Sequence, residues 1–83
     1  MSKRYVPVTC ELYNQYELMI LRGQALRIAW YGARGIARIE ILEPLNLRTR
    51  SGGEYLIARD RRGQRRVMRL DRISNARVLR ASQ

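Results

Sequence analysis

Most of the side chains in this sequence that could do chemistry are guanidinium groups. Arg59, Arg61, Arg62, Arg65, Arg66 and Arg69 place six cations within eleven residues, offset only by Asp60. A guanidinium stays charged and presents a rigid fork of donors, so this ridge suits nucleic-acid phosphates better than proton transfer. A solvated, aggregation-resistant hairpin is the plain structural reading of the same run. The opposite character lies upstream, where Glu11, Tyr13, Asn14 and Glu17 share a stretch with no basic residue from 5 to 21. Two acids, an amide and a phenol there suit a protein contact, tyrosine being enriched at interface hot spots. A solvated helix face with acids near its N-terminus is the alternative. Groups for covalent or acid–base work are scarce. There is no histidine, and the single cysteine, Cys10, reads as a small buried apolar side chain rather than a reactive thiol. The seven carboxylates show no spacing of a general acid–base pair. Disulfide frameworks, zinc sites of the usual spacing and imidazole triads are excluded, so no catalytic residue, metal ligand or cofactor is expected. Gly32 and Gly35 bracket a turn with no helix after it, unlike a phosphate loop.

The charge is large and uneven. Seventeen basic residues, sixteen of them arginine, oppose seven acids for a net +10. Fifteen arginines and only five acids follow residue 21, so the first part is neutral and the rest carries the whole excess. A polyanion or an acidic protein face is the natural partner of such a surface. At 83 residues and 9.8 kDa the chain has room for one domain, residues 1–83, with a thin core. The longest apolar runs are four residues, against about 20 for a membrane span. No signal-peptide core opens the chain, and a cytoplasmic, non-enzymatic protein is expected.

These groups must be positioned by short elements. Residues 5–8 read as an extended lead-in, Pro7 biasing Val6 away from helix. Leu12, Tyr16, Met19 and Ile20 recur at helical spacing, predicting a helix over about 10–22 with Thr9 as N-cap and Gly23 as stop. Tyr16 is expected in the core and Tyr13 at an interface. After Gly23 the period becomes two. Leu26, Ile28 and Trp30 form one strand, Ala37, Ile39 and Ile41 a second, closed by Glu43 and Pro44. Alternation resumes at Leu45, Leu47 and Thr49, Ser51-Gly52-Gly53 turns the chain, and residues 54–60, 65–70 and 73–79 supply the rest, with a hairpin tip at 61–64. Trp30 should face inward and Tyr31 outward; Tyr31 and Tyr55 could stack on bases, although packing is the commoner role. Asp71 is expected to pair with an arginine or cap a turn, with Leu70 and Ile73 inward. Five or six short antiparallel strands over about 25–80 cover a core only by curling. The expectation is mainly β, a small Sm-like or SH3-like barrel with an N-terminal α-helix at one end.

Two families share parts of this pattern. Tyr5, Pro7, Cys10, Tyr13 and Glu17, with Val8 as a close replacement, resemble the opening of the Rof family, small bacterial inhibitors of the transcription terminator Rho. Glu54-Tyr55-Leu56, Gly63, Arg66 and Arg69-Leu70-Asp71-Arg72-Ile73 fit later blocks of that family. The resemblance implies antitermination: a protein that docks on Rho and blocks its RNA-binding surface, here through Glu11, Tyr13, Asn14 and Glu17. From Glu43-Pro44-Leu45-Asn46-Leu47 onward the chain is also similar to WYL domains, Sm-like modules of bacterial regulators, with Glu54 where their tryptophan usually stands. That likeness implies a nucleic-acid-binding module working through the arginine-rich hairpin, with RNA or a single strand as partner.

Overall fold

Gly23 fixes where the first element ends. In the computed structural model, which describes residues 10–79, it takes φ +61° and closes helix α1 (Cys10–Arg22). Its N–H donates to the Ile20 carbonyl at 3.1 Å and that of Gln24 to Met19 at 3.3 Å, satisfying carbonyls the helix leaves open. Tyr16 is buried, and Tyr13, Met19 and Ile20 pack beside it on the core. The lead-in at residues 5–8 and the N-cap at Thr9 lie outside the described residues.

Five strands follow: β1 (Leu26–Tyr31), β2 (Ala37–Arg50), β3 (Gly53–Asp60), β4 (Arg65–Arg69) and β5 (Ile73–Val78). They form one antiparallel sheet in the order β4-β3-β2-β1-β5. The fold is mainly β, a small Sm-like, barrel-like sheet with an N-terminal helix, as the alternation predicts. Its β4 and β5 edges are joined by a 3-10 turn at Leu70–Arg72 and do not pair in the ladder, so curling covers the core without closing the sheet.

The strand count comes out at five because Pro44 does not end a strand. β2 runs through it for 14 residues, with a register shift between Pro44 and Asn46 against β3. A bulge accommodates the missing proline N–H and bends the strand. Residues 37–42 of β2 pair with β1 and residues 42–50 with β3, so the sheet has two lobes meeting at Leu42.

Inward lie Leu26, Ile28, Trp30, Leu42, Leu56, Ala58, Met68 and Leu70, closed over by Tyr16. The apolar set of the first half of β2 does the reverse of what its alternation suggests. Ile39 is 60% exposed, while its neighbours Arg38 and Glu40 take the Trp30 and Ile28 side of the ladder. Arg38 stands 5.7 Å from the Trp30 ring centre and bonds Glu40 at 3.0 Å. Charge is tolerated there because the stacked guanidinium and its carboxylate satisfy each other at the rim.

Candidate nucleic-acid interface

The structure divides the six arginines of the predicted ridge into two groups. Arg59 is held by Glu43 at 2.6 Å, and Arg66 by Glu40 and Asp60, each at 3.1 Å. Arg69 donates to both Asp71 oxygens, at 2.7 and 3.1 Å. Arg61, Arg62 and Arg65 are exposed and make no ion pair among the described residues. Half the ridge therefore builds the hairpin, and half is available to a ligand.

Asp60 organises the tip. Its Oδ1 accepts the backbone N–H groups of Arg62 and Gln64 at 2.9 and 2.8 Å. Burial pushes its carboxyl up, but those two N–H groups, with the charges of Arg66 and Arg62, hold it below the ordinary value. The tip thus keeps its charge pattern throughout the neutral range.

Cross-strand register assembles a different set on the outward face of β3. Tyr55 opposes Arg48 of β2 and Arg69 of β4, and Ile57 opposes Asn46 and Val67. Directly opposed residues share a face. Tyr55, Ile57 and Val67 accordingly form a floor on the side away from the core, in a cleft of about 650 Å³ rimmed by Arg48, Arg50, Ser51 and Arg65. None of these three arginines makes an ion pair among the described residues. Ile57 is only 5% exposed yet stands outside the inward cluster, so this face has packing of its own.

Tyr55 is held from below and from the side. A Cβ on Gly53 would meet the Tyr55 Cε1 at 3.4 Å and the Arg69 Cδ at 3.3 Å, so glycine makes room for both. The hydrogen bond to Asp71 is the main cause that raises the proton affinity of Arg69, against a loss from burial, and the neighbouring Tyr55 adds a lesser share. Asp71, with its side chain 8% exposed, thus anchors Arg69 beside its cross-strand partner Tyr55. An aromatic floor with a cationic rim can stack a splayed base and hold its flanking phosphates.

Arg48, Arg50 and Gly53 are absent from the ridge read in the sequence. The signal was the second glycine of Gly52-Gly53: the turn needs positive φ at Ser51 (49°) and Gly52 (77°) only, so Gly53 has another reason. On α1, Tyr13, Asn14 and Glu17 line a groove with Leu18, Ile20, Leu21, Asn46 and Leu47, while Glu11 lies outside it. Tyr13 is half-buried against the core rather than fully presented. Cys10, expected as a small inward side chain, is exposed where α1 begins. No cluster of His, Cys, Asp or Glu that could hold a metal is found among the described residues, nor any helix long and apolar enough to cross a membrane.

No curated protein matches the chain. A family model does, that of the WYL domain, over residues 11–78. It supports the likeness read from residue 43 onward and extends it through α1 and β1, while the Rof likeness rests on the sequence blocks alone. With its helix from the second residue on, its five strands and the Tyr55 face inside the matched span, the chain belongs to the WYL domain family, one linked to regulation and nucleic-acid binding.

Proposed function

We propose that the protein is a non-enzymatic regulatory module that binds single-stranded nucleic acid on the Tyr55 face. One observation carries this reading: three exposed arginines with no ion pair among the described residues, Arg48, Arg50 and Arg65, surround an aromatic–aliphatic floor. Phosphates would take the rim and a base the floor. A duplex fits poorly, since its bases are stacked on each other and cannot reach a recessed ring. The test is titration of labelled oligo(dT) and oligo(U), on the order of 12 nucleotides. Binding should weaken steeply with salt. Tyr55→Ala should cost about tenfold or more in affinity, while Tyr55→Phe keeps the stacking surface and most of the binding. Salt-independent binding, or equal affinity of the alanine variant, would end this reading.

A second reading, a Rof-like contact with Rho, has a specific observation in its favour. Glu11, Asn14 and Glu17 are exposed, and neither glutamate is paired with the chain's own arginines among the described residues. The cap thus keeps a mildly acidic character beside a basic body. Immobilised Rho treated with nuclease should capture the protein, and Glu11→Lys with Glu17→Lys should abolish capture. Capture that disappears with nuclease would assign it to RNA.

A further inference from the structure

The other lobe of the sheet carries a second surface with the same ingredients. Arg27 of β1 and Arg77 of β5 are direct cross-strand partners. Like charges opposed on one face repel. Neither makes an ion pair among the described residues, and both are exposed. A fold that keeps two unneutralised guanidinium groups side by side offers a ready pair of donors to an anion.

What surrounds the pair points to nucleic acid. Arg27 opposes Ile41 on its other side, and the next outward row sets Ala29 against Ile39. Ile39 is 60% exposed, Ile36 62% and Tyr31 49%, so an apolar floor with one ring stands open on this lobe. Arg61 and Arg62 reach in from the β3–β4 tip, lining a cleft of about 510 Å³ with Arg27, Ile39 and Ile41. The two acids of that cleft, Glu40 and Asp60, are already held by Arg66. The cleft therefore keeps a positive excess over an aliphatic floor, and Tyr31 stands further along the same outward face of β1.

We infer that one chain binds two single-stranded segments at once, one on the Tyr55 face and one on the Arg27–Arg77 face, and so bridges strands. The inference rests on the proposed function and adds a second site to it. The division of β2 at Leu42 gives the reason, since one lobe pairs with β1 and β5 and the other with β3 and β4.

The experiment uses oligo(dT) of about 8 nucleotides, too short to wrap both lobes. Native mass spectrometry and calorimetry should give two oligonucleotides per chain. Arg27→Gln with Arg77→Gln should reduce this to one, and Arg48→Glu with Arg50→Glu and Arg65→Glu should reduce it to the other one. Energy transfer between two differently labelled oligonucleotides should appear with the native chain and vanish with either variant. The Arg27→Gln, Arg77→Gln chain should melt no lower than the native one, because the change relieves repulsion, so a lost site is not a lost fold. A stoichiometry of one that responds only to the Tyr55 face would overturn the second site and leave the proposed function standing. Absence of binding in every chain would remove both.

Discussion

Reversing Arg48, Arg50 and Arg65 to glutamate is expected to lower affinity for a single strand by on the order of a thousandfold at low salt. A hydrogen bond to a charged group is worth about 1.5–3 kcal/mol, roughly tenfold or more each, and three neighbouring contacts combine to that scale if they add. The slope of log affinity against log salt should fall by about 2, since each phosphate contact on a single strand contributes about 0.7. None of the three makes an ion pair in the described structure, so their removal strands no carboxylate, and folding should be retained. The control is Arg59→Gln. That side chain is spent on Glu43, and its loss should change the salt slope far less. Filter binding or fluorescence anisotropy across a salt series, with circular dichroism on each variant, checks both. An unchanged slope in the triple variant would mean that the rim does not touch phosphate.

The contrast between Arg59 and Arg65 shows what the sequence carries and what it hides. Both stand in one dense basic run and are directly opposed across β3 and β4. Only the register of β3 against β2 brings Glu43 to Arg59 and leaves Arg65 open. That register depends on a bulge at Pro44, and a shift of one residue moves every later side chain of β2 to the other face. Arg48 and Arg50 reach the Tyr55 rim by that shift, which periodicity alone does not supply. The elements themselves were legible. The helical spacing around Tyr16, the alternation of Leu26, Ile28 and Trp30, and the turn chemistry of Ser51-Gly52 are local properties, and each formed as its residue types dictate. The outward Ile39 was not legible, because an alternating strand names two faces without saying which is inside. Trp30 and Ile28 had already filled the interior at that rung, and β2 turned its isoleucines out.

Leu56 and its neighbours separate folding from binding along a single strand. Leu56→Ala is expected to destabilise the protein by about 2–5 kcal/mol, the usual cost of emptying a buried leucine site. Leu56 is fully buried (0% exposed) on the central side of β3, opposite Leu47 and Met68, and belongs to the cluster that α1 closes through Tyr16. Stabilities of about 0.05–0.15 kcal/mol per residue are typical, so such a loss takes a large share of what a chain this short holds. Tyr55 and Ile57 flank Leu56 in sequence and point the other way, into the arginine-rimmed cleft. Tyr55→Ala should therefore weaken strand binding with a small change in melting, whereas Leu56→Ala should lower the melting midpoint steeply. At a temperature where the Leu56→Ala chain remains folded, its affinity per folded molecule should match the native one. Urea unfolding paired with anisotropy on both variants gives the comparison. Equal thermal penalties for Tyr55→Ala and Leu56→Ala would show that the outward face is part of the core, and the separation of the two faces of β3 would fail.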